Sequence, residues 1–298
     1  MDLSVLREKN IQEKEFELYS EPYATSLGLG LSLRVYPDSR PHNLKIATLQ
    51  KGLILVLDGQ ELIEEGSGFG VPVAVFPDRT YFSSIAQVFI RELGDEKIIV
   101  KRFIMDVYSK RDWKINDIIN NPFYKSVSSF FEETYRRYPN TRRIIFSLMK
   151  MKNKVGVKTD FIKSTPRGEV TIKFKIRQNF IDVEANLTKL DKTGLKRLVI
   201  LNEQGSTFFR RLIDSNGTNL IDGRIGAWDI VIADLACFSD YDNTLDFCLR
   251  RLPKSRLFTG REYLKESLAW AGMEYEVEPN LDKYSYRIQI HQKKKKDI

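Results

Sequence analysis

Apolar residues recur at every second position through most of the first third of the chain. Leu27, Leu29, Leu31, Leu33 and Val35 alternate with Gly28, Gly30, Ser32 and Arg34. That period sets one side of an extended strand into a core and leaves small or polar groups on the other. Pro37-Asp38 and Arg40-Pro41 mark a turn. Leu44–Gln50 and Lys51–Leu57 read as strand, Asp58-Gly59 is a favoured hairpin dipeptide, and Glu61–Glu64 is its return. Further strands are predicted over Val71–Phe76, Tyr81–Glu92 and Lys97–Tyr108, with turns at Pro77-Asp78 and Gly94-Asp95.

The period changes after Trp113. Phe123, Val127, Phe130, Phe131, Tyr135 and Tyr138 recur at helical spacing, Asn121-Pro122 suits a helix start, and Pro139 ends it. Ile144–Met151 reads as a second short helix, so a helical stretch is predicted over 117–157. Alternation returns with Val170, Ile172, Phe174 and Ile176, and with Ile181, Val183, Ala185 and Leu187. Leu198–Leu201 is a short run of buried type. Later strands are expected over Trp228–Ala236, Thr244–Arg250, Arg261–Trp270, Met273–Val277 and Tyr284–Ile290. About fifteen short antiparallel strands punctuated by turns describe a mainly β chain, a large antiparallel β-sandwich with a central helical insertion. We expect one domain over 1–290 and a basic, disordered tail over 291–298.

Composition narrows the classes. The 298 residues are 42% hydrophobic and 30% charged, which excludes disordered, collagen-like and coiled-coil chains. Cys237 and Cys248 are too few for a disulfide framework, and a core this large does not need one. A four-ligand zinc site would need both cysteines and both histidines, His42 and His291, to converge, and no pair has finger-like spacing. No metal and no cofactor are therefore expected. A histidine mechanism would run through His42, because His291 adjoins a run of lysines. The opening residues lack an apolar run of signal-peptide length, and no apolar stretch approaches the ~18 residues of a membrane helix. A cytoplasmic location without a transmembrane segment is the expectation.

The formal charge of +8 is unevenly placed. Residues 125–158 carry a net +7 and the last eight residues +3, which leaves about −2 for the β body. Arg136, Arg137, Arg142 and Arg143 interleave with Tyr135, Tyr138 and Phe146, a pattern that can face phosphates or anionic lipid. No recognised nucleic-acid module accompanies it.

Gly66-Ser67-Gly68-Phe69-Gly70 fails as a dinucleotide fingerprint, because its third glycine comes one residue early and a strand follows. It reads as a glycine-rich bend or bulge where backbone comes close to a neighbour. Arg40, His42, Glu64, Glu65, Asp78, Arg79 and Tyr81 lie around it. Carboxylates and aromatic rings are the groups that sugar chemistry uses. In the second half, Arg211, Asp214 and Trp228 stand at strand ends among turn sequences. As ligand-binding candidates we take Arg40, His42, Glu64, Asp78, Tyr81, Arg211, Asp214 and Trp228.

The C-terminal strings Arg261-Glu262-Tyr263, Leu268-Ala269-Trp270-Ala271-Gly272, Tyr275 to Pro279 and Tyr284-Ser285-Tyr286-Arg287-Ile288 resemble the last strands of galactose-mutarotase-like β-supersandwich domains. Leu201 to Asp229 is similar to a set of uncharacterised prokaryotic proteins, archaeal ones among them. The supersandwich resemblance spans about 40–290 and implies a fold more than an activity. Mutarotase-type enzymes use a histidine acid and a glutamate base. Neither motif is matched, since His42 lies too early and Glu203 stands in no recognisable context, so no catalytic residue is carried over.

Two functions follow as expectations. One is a carbohydrate- or sugar-phosphate-binding protein, epimerase/mutarotase-like or lyase-like if an enzyme. The other is a non-enzymatic protein that docks an acidic partner, nucleic acid or a membrane surface through basic helices over 122–158.

Overall fold

The computed structural model describes residues 17–19, 21–37, 50–64, 66–77, 79–93, 96–113, 157–264 and 268–293. Twenty strands occupy them. The first eight are β1 (Glu17–Tyr19), β2 (Tyr23–Gly28), β3 (Leu31–Val35), β4 (Leu53–Leu57), β5 (Gln60–Glu61), β6 (Gly68–Val75), β7 (Thr80–Leu93) and β8 (Glu96–Trp113). Next come β9 (Val157–Lys163), β10 (Glu169–Arg177), β11 (Phe180–Asn186), β12 (Arg197–Gln204), β13 (Arg211–Asp214), β14 (Asn219–Ile221) and β15 (Asp229–Ile230). The chain closes with β16 (Leu235–Ser239), β17 (Leu245–Arg250), β18 (Ser255–Leu264), β19 (Leu268–Val277) and β20 (Lys283–Gln292). Every strand pairing is antiparallel.

The pairings trace two wings that part at the long hairpin β7–β8. One wing runs β8–β10–β11–β20–β17–β16–β13. The other runs β6–β12–β19–β18–β15, with β4, β3 and β2 on the far side of β6. The wings pack face to face. Phe69 of β6 meets Phe247 of β17 edge-on at 5.2 Å, and Tyr275 of β19 lies 4.8 Å from Tyr286 of β20. Alternation explains which side chains fill the space. Val170, Ile172, Phe174 and Ile176 of β10 are buried while their neighbours are half-buried, and Leu31, Leu33 and Val35 of β3 behave alike.

The glycine-rich string is a bulge in β6. Pairing with β12 shifts register between Leu201 and Asn202, which leaves Gly70 unopposed. Gly70 holds φ +77, and a Cβ there would lie 2.6 Å from the Phe174 ring across the sandwich. Only glycine fits both conditions.

Several differences from the expected elements stand out. The helical stretch over 117–157 lies outside the described residues except for Val157, which begins β9. Lys158, at the end of the expected basic helices, is strand and pairs with Asp112. Among the described residues the one helical element is a single 3₁₀ turn, Asp222–Arg224. Arg261–Trp270 is a hairpin rather than one strand, since Glu262 pairs back on Trp270. Trp228–Ala236 is interrupted, with strand only at Asp229–Ile230 and from Leu235. β20 runs on to Gln292, and the Lys293 amide bonds the Thr244 carbonyl at 2.7 Å. Cys237 and Cys248, directly opposed on β16 and β17, form one disulfide that the cysteine count did not foretell.

Candidate functional site

β12 ends on three consecutive polar residues, Asn202-Glu203-Gln204, and all three are buried in the strand between β6 and β19. Strand alternation sends Asn202 and Gln204 to the side between the wings and Glu203 to the other. The inner two are satisfied. Asn202 Oδ1 accepts from the Gly70 amide at 3.1 Å and from the Tyr286 hydroxyl at 2.8 Å. The Gln204 amide imitates a strand, accepting from Leu55 N at 3.0 Å and donating to Leu53 O at 3.1 Å.

Glu203 is different. It is 7% exposed, and its carboxylate accepts from the Ser67 amide at 2.9 Å. Burial pushes its pKa up to about 7. The Ser67 amide and hydroxyl pull against that, and the nearby charge of Glu262 adds to it. Glu262 lies two strands away on β18, and burial raises its pKa as well, against a hydrogen bond from the Trp270 ring. Glycines make up the backbone between them. Gly272 faces Glu203 and Gly260 faces Gly272. A Cβ at 272 would strike the Asn202 carbonyl oxygen, and one at 260 would lie 2.6 Å from Trp228 N and 2.9 Å from the Trp270 ring. Trp228 and Trp270 lie against Gly260 and stack on each other, with centroids 4.6 Å apart at 18°. Trp228 holds φ +58, a conformation that costs a non-glycine residue about 1–2 kcal/mol and that the surrounding packing must enforce.

The turn that follows β12 carries a second group. The Gly205 amide bonds Leu62 O at 2.7 Å, which brings the turn against Glu64. Burial raises the Glu64 pKa, opposed first by the Thr207 and Ser206 amides and then by the Arg261 charge. Glu64 Oε2 and Ser206 Oγ are both buried and have no hydrogen-bond partner among the described residues. Buried polar atoms left in that state call for a ligand or water to complete them. Arg261, whose side chain is 9% exposed, donates to Ser206 O at 2.7 Å and pairs with Asp222 at 3.2 Å. Asp222 is gripped in turn by Arg210 through two bonds of 2.9 and 2.6 Å, and that grip holds its pKa below the usual carboxylate range.

The two groups share the end of β12 and the consecutive pair Arg261-Glu262. Chemically, they offer carboxyls whose pKa values burial raises, a fixed guanidinium, a hydroxyl with no hydrogen-bond partner among the described residues and an aromatic wall. Two neighbouring carboxyls resist ionising together, and the charge of Glu262 adds to the rise that burial causes at Glu203.

Of the residues expected from sequence, the structure brings Glu64 and Trp228 to this cluster. Tyr81 is a buried ring packed edge-on against Phe76 at 5.4 Å. Arg211 donates to Asn219 Oδ1 at 2.9 Å on β13, and Asp214 closes the following turn by accepting from the amides of Asn216 and Thr218, each at 2.9 Å. These three serve other parts of the fold. Arg40, His42 and Asp78 lie outside the described residues, as do Arg136, Arg137, Arg142 and Arg143. Glu203, Ser206, Arg261, Glu262 and Trp270 are the members that sequence reasoning missed. The available signal was an acid extending a strand of buried type.

A cavity of about 570 Å³ lies elsewhere, on β10, β11 and β20, bordered by Lys173, Asp182, Glu184, Arg250 and Arg287. On its rim Arg287 donates to Asp182 at 2.6 Å and stacks 3.9 Å over Phe180. Glu64, Glu203 and Glu262 do not line this cavity.

No protein-family model matches the chain, and no curated protein matches it. Among solved structures it is similar to the Slr1438 protein from Synechocystis sp. PCC 6803, at 10% identity and a TM-score of 0.42 over 93% of this chain and 96% of that one. It is also similar to the b2544 protein of Escherichia coli K12, named a putative aldose 1-epimerase, at 8% identity and a TM-score of 0.40 over 93% and 99% of the two chains. A third is HI1317, at 7% identity and a TM-score of 0.37 over 92% and 100%. Likenesses this distant carry no argument about family or activity.

Proposed function

We propose that the chain binds a carbohydrate or sugar phosphate at the end of β12 and acts on it by acid–base catalysis between carboxyl groups. The observation that carries this reading is Glu203, a buried carboxyl poised at about 7 beside a second raised carboxyl, Glu262. Such a pair can take a proton from one sugar hydroxyl while giving one to a neighbouring oxygen, the exchange that opens and closes a cyclic hemiacetal. The Trp228–Trp270 stack offers an apolar face to a sugar ring, and Arg261 with the Ser206 hydroxyl suits its oxygens.

The test is ligand-observed NMR with a panel of aldoses and their phosphates, scored for binding and for exchange between anomers. We expect at least one sugar to bind and to interconvert faster than in buffer. Glu203→Gln should remove the exchange while leaving binding, and Trp228→Ala should weaken binding. A panel in which nothing binds, or exchange that is indifferent to both Glu203→Gln and Glu262→Gln, overturns the reading.

A further inference from the structure

Cys237 and Cys248 face each other across β16 and β17, joined by the disulfide. Asp246 stands two residues before Cys248 and so points from the same side of β17. Across the next pairing its partner is His291 of β20. All four side chains share one patch on the outer face of the wing. Asp246 Oδ1 lies 3.3 Å from Cys248 Sγ, and His291 Nδ1 lies 3.8 Å from that sulfur and 2.7 Å from Asp246 Oδ1. The donor atoms of Cys237, Asp246 and Cys248 all lie within 4.8 Å of one another. A zinc site built on both cysteines and both histidines was not expected from spacing. The fold assembles three of those four and supplies Asp246 as the fourth donor.

Two sulfurs, an imidazole nitrogen and a carboxylate oxygen are a donor set for a tetrahedral, thiophilic divalent ion. With metal–ligand bonds of about 2.0–2.3 Å, tetrahedral donors lie roughly 3.3–3.8 Å apart. Two edges of the cluster already have that length, and the Asp246–His291 edge needs to open by only about half an ångström. The sulfurs must part, which requires reduction. Cys248 is 1% exposed and the His291 side chain 50%, so the patch has a dry inner side and an open outer side through which an ion can enter.

We propose that Cys237, Asp246, Cys248 and His291 form a redox-gated site for a divalent ion of the zinc class. A dithiol reductant passes two electrons and two protons to the disulfide, giving two cysteine thiols and the reductant's own disulfide. The ion then displaces the two thiol protons to solvent and is held by two thiolates, the Asp246 carboxylate and a ring nitrogen of His291. In the oxidised chain the sulfurs are bonded to each other and the site is closed to metal.

Cobalt(II) is the probe. The full chain is reduced with a dithiol, freed of reductant under anaerobic conditions and dialysed against the ion, beside the oxidised chain. We expect one equivalent bound to the reduced chain, with a thiolate-to-cobalt charge-transfer band, and none to the oxidised chain. Cys237→Ser should abolish the band. His291→Gln alters a half-exposed side chain and spares the fold, and it should weaken binding by at least ~10-fold. A reduced chain that takes up no ion, uptake without the charge-transfer band, or unchanged affinity in His291→Gln overturns the proposal.

Discussion

The two sides of the end of β12 treat buried polarity in opposite ways. Toward the space between the wings, Asn202 and Gln204 spend their hydrogen-bonding capacity on backbone and tyrosine groups that would otherwise be orphaned. Toward the Trp228–Trp270 side, Glu203 receives the Ser67 amide and hydroxyl, no cation among the described residues, and a second carboxyl as neighbour. Burial is the same to within a few per cent at all three residues. Depth therefore does not separate a structural polar residue from a reactive one. What separates them is whether the protein completes the group's partners. Stability and activity should respond to the three substitutions with different signs.

The largest effect belongs to the inner side. Asn202→Ala strands the Gly70 amide and the Tyr286 hydroxyl, and Gln204→Ala strands Leu55 N and Leu53 O. With about 1–3 kcal/mol for each buried group left unmade, each substitution should cost about 4 kcal/mol, read from urea unfolding midpoints. A loss below about 1 kcal/mol at both positions would mean that water or rearrangement satisfies the groups, and the contrast would dissolve.

The next effect lies on the outer side and has the opposite sign. A carboxyl whose folded pKa is raised holds its proton more tightly in the native chain than in the unfolded one. Its contribution therefore favours folding at low pH and is lost as pH rises from the ordinary value of 4.5 through about 7. Glu203→Gln keeps an acceptor for the Ser67 amide and removes the titration. At pH 4, below the ordinary value of 4.5, the variant and the parent should be nearly equal in stability. By pH 8 the variant should be the more stable by on the order of 2–3 kcal/mol while having lost sugar exchange. A variant less stable than the parent at pH 8 would place Glu203 with Asn202 and Gln204 as a structural residue.

Much of the scaffold around this contrast is readable from sequence, and the contrast itself is not. Val170–Ile176 and Ile181–Leu187 alternate because each of those strands has one wet and one dry face, a constraint that acts within a few residues. Asp58-Gly59 specifies its hairpin equally locally, with φ of +49 and +82. Glu203 acquires its character from Ser67, 136 positions away, and from Glu262 beyond the next strand. Nothing near Glu203 in the chain announces either partner. Glu64 and Trp228 are candidates from sequence because strand-end carboxylates and aromatics are worth suspecting. Tyr81 and Asp214 were suspected on the same grounds, and the fold uses one as packing and the other as a turn. The disulfide and its Asp246–His291 neighbours escape for the same reason as Glu203, because cross-strand register decides who stands opposite whom.

The smallest effect tests the contrast from a third place. Glu169, at the start of β10, is a strand carboxylate that does have its cation. Arg102 grips it with two bonds of 2.6 Å each and Lys189 lies at 3.8 Å, so its pKa is held below the usual range, with the Arg102 bonds as the main cause. A lowered pKa reverses the sign found at Glu203. Its stabilisation is present above the ordinary carboxylate pKa and disappears as pH falls through the lowered one. The pair is partly exposed, with side-chain exposures of 38% and 23%, so solvent screening leaves it worth about 1 kcal/mol or less. Glu169→Gln should therefore destabilise the chain by about that amount at pH 8 and have no effect once the parent's carboxylate is protonated. Glu203→Gln and Glu169→Gln should then show stability differences of opposite sign at pH 8, both shrinking as pH falls. If the two variants shift stability in the same direction at pH 8, then the presence or absence of a cation partner is not what sets these carboxyls apart.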